Sequence, residues 1–319
     1  MNKQTSVVNI SHTHSPSDPS GSRHYHLVPR ISDVAQSKGA AHFLLEGDLV
    51  DALFIRRSDV LLVTFDNLGT VGKYEHSRPW LASVAEAAGV SNLGMIARQK
   101  DWYRNEDTPR LIRSLRDTGF FGEFKHIIFC GASMGGYAAL TYSALLPGSV
   151  VLAFSAQSSL ARELVPFEGR YRYDARKWDW HLLPFRDAAE AIPHASRVYL
   201  IYDPFVAEDR AHASRLTGEN VVQLHAPHMG HRAIRYLKAF GMLPWIVQEV
   251  VQDQFDRREF ARRLRMRRQN IDWQRKVLAE AESRGHKRLA ISATERLALD
   301  YPESGFARRH LKRLRKGQS

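Results

Sequence analysis

The stretch that decides the reading is His126-Ile127-Ile128-Phe129-Cys130-Gly131-Ala132-Ser133-Met134-Gly135-Gly136-Tyr137. Residues 126–130 form a short apolar run of the kind found in strands covered on both faces. Residues 137–146 are rich in Ala and Leu and read as a helix that starts near Gly136 or Tyr137. Between them, Gly131-Ala132-Ser133-Met134-Gly135 satisfies G-x-S-x-G, and strand, tight turn and helix are the setting that pattern requires. The turn forces the serine into a strained backbone conformation. Side chains at Gly131 and Gly135 would collide with neighbouring backbone. Ser133 Oγ is thereby expected at the carboxyl edge of a sheet, against a helix N-terminus. The Met134 backbone N–H then points at a developing oxyanion.

Working outward, the same alternation of strand and helix recurs. Residues 42–45 and 49–55 flank Glu46-Gly47-Asp48 and predict an antiparallel hairpin. Val60-Leu61-Leu62-Val63-Thr64-Phe65 reads as a buried strand. A helix at 80–88, a strand at 93–97 and a helix with Leu111, Ile112 and Leu115 on one face complete the part before the serine. After it come strands at 150–154, 197–202 and 221–224. The fold class expected is α/β, with a doubly wound, mostly parallel sheet.

Over residues 40–245 the chain resembles the α/β-hydrolase superfamily. The resemblance rests on the serine turn, on the alternation, and on the chain order of the acidic and histidine candidates downstream. It implies a triad in the order Ser, Asp or Glu, His. Gly230-His231, after the last strand and before a helix at 232–240, resembles the Gly-His that carries the catalytic base there. His231 is therefore the first candidate, ahead of His228 on the same loop and His225 at the strand end. The acid is sought after the strand at 198–202, in Asp203-Pro204-Phe205-Val206-Ala207-Glu208-Asp209. Asp209 is favoured, with Asp203 the alternative; Glu208 reads as solvent-facing. Asp209 also has the position of a helix N-cap, and Asp203 that of a turn cap. The resemblance places a second oxyanion donor in Phe65-Asp66-Asn67-Leu68-Gly69, at Asn67 or nearby, to act with Met134. The chemistry implied is acyl transfer through an acyl-enzyme on Ser133, with no cofactor.

Composition narrows the rest. The 319 residues carry 46 Lys+Arg and 34 Asp+Glu, a formal charge of +12. Residues 257–319 hold 19 basic and 7 acidic groups, so the whole excess sits there and the preceding 256 residues sum to zero. The chain thus reads as a neutral body with a basic helical extension. Cys130 is the only cysteine, which excludes an intrachain disulfide and a cysteine-built metal site. The first residues lack the apolar core of a signal peptide, and no apolar run is long enough to span a membrane. A cytoplasmic enzyme is the default expectation. Residues 1–30 are polar and aperiodic, and read as a disordered tail whose His12, His14, His24 and His26 lack the fixed spacing of a metal site.

Three further segments carry expectations. The 31–255 body holds an aromatic-rich insert at 157–196, with Tyr171, Tyr173, Trp178 and Trp180, that reads as a lid over the site. Trp102-Tyr103 are expected at the same carboxyl edge, lining the pocket or packing in the core. In the 256–319 extension, a helix, Gly285, a second helix and Pro302 weakly resemble one tetratricopeptide-type unit, but read first as a plain helical hairpin packed on the body. Its basic residues are expected to touch an anionic surface loosely at most; no interleaved aromatics support specific nucleic-acid binding. Cutting the chain after Phe255 is expected to spare activity on a small ester. The function expected is a serine hydrolase of carboxylic esters or related acyl bonds, on a small-molecule, glycan or lipid acyl substrate. An acyltransferase on the same triad and an idle scaffold used as an adaptor are the alternatives.

Overall fold

A computed structural model describes residues 30–31, 34–72, 78–181, 184–253 and 255–316. The expectations for residues 1–29, including the four histidines, lie outside them. Among the described residues nine strands form one sheet: β1 (Arg30–Ile31), β2 (His42–Leu45), β3 (Val50–Ile55), β4 (Val60–Phe65), β5 (Ser91–Ala97), β6 (His126–Ala132), β7 (Val150–Phe154), β8 (Arg197–Tyr202) and β9 (Val221–His225). Their order is β1-β2-β3-β5-β4-β6-β7-β8-β9. Only β3 runs against its neighbours, pairing antiparallel with β2 and β5; the remaining pairings are parallel.

The strands are apolar on both faces because both faces are covered. On β4, Leu61, Val63 and Phe65 join the core on one side, while Val60 and Leu62 join the other. On β6, Phe129 faces the first side and Ile128, Cys130 and Ala132 the second. Helices Asp107–Asp117, Met134–Tyr142 and Ala207–Arg215 contribute to the first layer. Helices Ala82–Ala87, Ala233–Ala239 and Met242–Val251 contribute to the second. Such alternation on doubly covered strands explains their near-continuous apolar runs.

Two of the element boundaries that differ from the sequence reading have a clear physical reason. Strand β5 begins at Ser91, two residues early, because its polar start is buried and paired. Ser91 Oγ accepts from the N–H groups of Arg57 and Ser58, and Asn92 Nδ2 donates to the Leu62 carbonyl. The helix after the serine begins at Met134, through two glycines that propensity alone would assign to the turn.

The sheet sets where a site can lie. The chain leaves β4 for β5 on one side and returns to β6 on the other, so the carboxyl ends of β4 and β6 flank a topological switch point, where open α/β sheets bind ligands. Beyond the sheet, helices Arg257–Arg263, Ile271–Ser283, Lys287–Asp300 and Gly305–Lys316 form the basic extension. It is not hung loosely from the body. Phe260 and Leu264 are buried in the same apolar cluster as Ile246, Val247 and Val250. No helix among the described residues is long and apolar enough to cross a membrane.

Candidate active site

Ser133 sits at the switch point, between β6 and helix Met134–Tyr142. Its backbone holds φ 52° and ψ −119°, a region non-glycine residues enter at a cost of about 1–3 kcal/mol. The strain is contained by its neighbours: Ser133 N–H donates to the Phe154 carbonyl at 3.0 Å, and its own carbonyl accepts from Tyr137 N–H at 2.9 Å. A Cβ at Gly131 would collide with the Gly135 carbonyl, and one at Gly135 with the carbonyls of Phe65 and Asp66. Glycine is therefore required at both positions, and the turn presses directly on the end of β4. Met134 is the first residue of its helix, so its N–H has no intrahelical acceptor.

The structure brings Ser133, His231 and Asp209 into one chain of hydrogen bonds. His231 Nε2 lies 3.0 Å from Ser133 Oγ, and Nδ1 lies 2.9 and 3.0 Å from the two Asp209 oxygens. Nδ1 therefore carries the proton toward the carboxylate, which leaves the lone pair of Nε2 for the serine hydroxyl. Asp209 stands in the first turn of helix Ala207–Arg215 with a fully buried side chain. Burial opposes its charge, but the contacts with His231 and Arg170 outweigh burial and hold its carboxyl below the usual range.

The other candidates are placed elsewhere. Asp203 Oδ2 accepts from Gly230 N–H at 2.5 Å and Oδ1 from Phe205 N–H at 3.0 Å. It fastens the end of β8 to the loop that carries His231. His228 Nδ1 lies 2.6 Å from Glu280 of the extension, and its ring stacks on Phe205 at 4.3 Å. His225 ends β9 at the surface beside the Tyr202 hydroxyl, 3.2 Å away. Asn67 N–H donates to Thr70 Oγ1 at 3.0 Å, within its own loop. Trp102 and Tyr103 are fully buried: Tyr103 accepts from Asp66 N–H at 2.6 Å, and Trp102 packs on Tyr171.

Three side chains of the 157–196 insert reach the site: Tyr171, one of the aromatics that marked the insert, and Gln157 and Arg170, to which no local sequence pattern pointed. Gln157 is fully buried with Oε1 3.3 Å from Ser133 Oγ, and its Nε2 has no partner among the described residues. The Tyr171 hydroxyl lies 3.0 Å from His231 Nε2 and 3.4 Å from Ser133 Oγ; burial raises the phenol's pKa and keeps it protonated. Arg170 Nη1 donates to Asp209 Oδ1 at 2.8 Å while its Nη2 meets Glu168 Oε2 at 2.6 Å. Glu168 in turn faces His212 Nε2 at 3.1 Å. His212 Nδ1 accepts from Ser158 N–H at 3.1 Å, so Nε2 carries the proton, and burial keeps this imidazole neutral. Although Glu168 is buried, His212 and Arg170 hold its carboxyl down to about 2. One guanidinium thus joins the insert to the acid of the Ser133–His231–Asp209 chain.

From β2 onward, a mostly parallel sheet with its second strand reversed carries this serine turn on the fifth strand, with Asp209 after the seventh and His231 after the eighth. The chain has the α/β-hydrolase fold. No protein-family model and no curated protein sequence matches it. Solved structures do. It is similar to the HSL homologue EstE7 from a metagenome library (13% identity, 70% of this chain and 91% of that one, TM-score 0.49). It is also similar to carboxyl esterase 2 of the mycorrhizal fungus Tuber melanosporum (14%, 64% and 84%, TM-score 0.45). A third similar structure is the capsule O-acetyltransferase of Neisseria meningitidis serogroup A (10%, 66% and 94%, TM-score 0.44). Within this fold, Ser133 sits on the turn between β6 and helix Met134–Tyr142, with His231 and then Asp209 next in the chain of hydrogen bonds.

Proposed function

We propose that the protein is a serine hydrolase that cleaves a carboxylic ester or related acyl bond through an acyl-enzyme. The observation that carries this reading is the unbroken contact from Ser133 Oγ through both nitrogens of His231 to Asp209. Ser133 Oγ attacks the acyl carbon as its proton passes to His231 Nε2. Asp209 holds the imidazole in the required tautomer and stabilises its cation. The Met134 N–H, at a helix N-terminus, donates to the oxyanion that forms. Asn67 lies on the loop that abuts the serine turn, and its N–H would serve as second donor by exchanging Thr70 Oγ1 for the oxyanion. His231 then returns the proton to the leaving oxygen, and water hydrolyses the acyl-enzyme.

A fluorophosphonate probe tests this directly, because it reacts with an activated serine and not with an ordinary one. The full-length protein is expected to label, and Ser133→Ala to lose both labelling and p-nitrophenyl acetate turnover by a factor of at least about a thousand. Folded wild-type protein that takes up no probe at Ser133 would refute the reading and favour the idle scaffold.

A further inference from the structure

The segment Glu168-Gly169-Arg170-Tyr171 touches the reacting atoms through a hydroxyl that neither nucleophile, base, acid nor oxyanion donor requires. His231 Nε2 has one lone pair and two hydroxyls at 3.0 Å, those of Ser133 and Tyr171. The two hydroxyls are 3.4 Å apart. In the free enzyme Ser133 can give its proton to Nε2 while Tyr171 donates to Ser133 Oγ. In the acyl-enzyme Ser133 Oγ carries no proton, and Nε2 must receive one from the incoming nucleophile, whether water or an alcohol. An oxygen able to give that proton has to stand within hydrogen-bond reach of Nε2 and beside Oγ. The Tyr171 hydroxyl stands there.

We propose that Tyr171 is a catalytic residue that decides the fate of the acyl-enzyme, its hydroxyl holding the nucleophile's place at His231 Nε2 against water and yielding it to an acceptor alcohol. The inference rests on the proposed Ser133 acyl-enzyme and keeps its hydrolysis by water as the slower route, adding alcohols as the favoured acceptors. The phenol is held firmly. Its ring meets buried Trp102 edge-on at 4.9 Å, and the preceding Arg170 is clamped between Glu168 and Asp209. Swinging the hydroxyl aside costs about one hydrogen bond. Water and alcohol alike must take the hydroxyl's place at Nε2, so that cost falls on both. An acceptor with a second hydroxyl recovers it by accepting the phenol's hydrogen bond there, whereas a single water leaves that bond unmade. The transfer step balances without any further reactant. The acceptor O–H gives its proton to Nε2 as its oxygen bonds to the acyl carbon. The bond from that carbon to Ser133 Oγ then breaks, and the same proton passes from Nε2 to Oγ. Tyr171 keeps its own proton throughout.

Tyr171→Phe preserves the ring and leaves room for one water at Nε2. The experiment uses full-length protein, p-nitrophenyl acetate as donor and glycerol as acceptor. It measures the ratio of glyceryl acetate to free acetate formed at a fixed glycerol concentration. This ratio does not depend on how fast the acyl-enzyme forms. Tyr171→Phe is expected to lower it about tenfold, the effect of one hydrogen bond. Tyr171→Leu is expected to move it the same way and serves if the first variant does not fold. A ratio that is unchanged or raised in a folded variant overturns the proposal while leaving the Ser133 acyl-enzyme intact. Wild-type protein that releases no p-nitrophenolate dependent on Ser133 overturns both.

Discussion

At the scale of the residue, two neighbouring aspartates, Asp209 favoured in the sequence and Asp203 its alternative, have different partners in the structure. Asp209 meets the imidazole of His231, while Asp203 meets the backbone of Gly230 one residue earlier. Asp209→Asn is expected to preserve folding and lower kcat by roughly four orders of magnitude, because an amide presents the wrong partner to Nδ1–H. Asp203→Asn is expected to act mainly on stability, by about 1–3 kcal/mol, through the weakened bond to Gly230 N–H. Steady-state kinetics and urea unfolding on the two variants separate these outcomes. The reverse pattern would exchange the roles. A sequence places both side chains near the end of a strand. It cannot say which one the returning loop will meet.

At the scale of the element, the exit loop of β4 carries a carboxyl whose setting the sequence did not announce. Asp66 is buried at 3% exposure and accepts from Ala97 N–H at 3.1 Å and from Thr70 Oγ1 at 2.9 Å. Burial outweighs both bonds and pushes its pKa from 3.8 up to about 6. The folded state therefore binds this proton more tightly than the unfolded chain does. The resulting penalty is absent below about pH 3.8, grows as pH rises toward 6, and is complete above it. Asp66→Asn keeps an acceptor for Ala97 and offers Thr70 a donor. It is expected to raise stability by about 2–3 kcal/mol at pH 8 and by little near pH 3.8. Denaturant melts at the two pH values check the prediction, and an equal gain at both would contradict the burial argument. The serine turn shows the opposite case at this scale. Its glycines were legible as necessary because the collisions they avoid lie within the turn or at the strand beside it.

At the scale of the whole molecule, the extension's contacts bear on what its charge suggested. Residues 257–319 carry the entire formal excess, which invited reading them as separable. Yet Phe260 and Leu264 complete the core beneath helix Met242–Val251. Glu280 holds His228, Trp273 Nε1 donates to the Pro227 carbonyl at 3.3 Å, and both contacts lie on the loop that carries His231. Cutting after Phe255 is now expected to lower Tm by several degrees and to reduce turnover of p-nitrophenyl acetate at least severalfold. A truncated protein with wild-type kinetics would show that the loop holds its shape alone. Binding to anionic vesicles measured on the same pair reports separately on the basic helices.

What the sequence by itself determined is what short-range rules decide. Strands covered on both faces show as apolar runs, the glycines of the serine turn are set by local collisions, and the residue order of the family that the chain resembles points to the His231 loop and two candidate acids. The tertiary structure alone decided which acid reaches the histidine, and that Arg170, Tyr171 and Gln157 close around Ser133. The contacts of these three residues span 24 to 61 positions, from an insert without periodicity to Ser133, Asp209 and His231. Hydrogen bonds between such partners depend on where whole segments come to rest, and no local spacing in the chain records that. The net charge taught the same lesson from the other side: it located the extension, while packing of a few apolar residues joined it to the body.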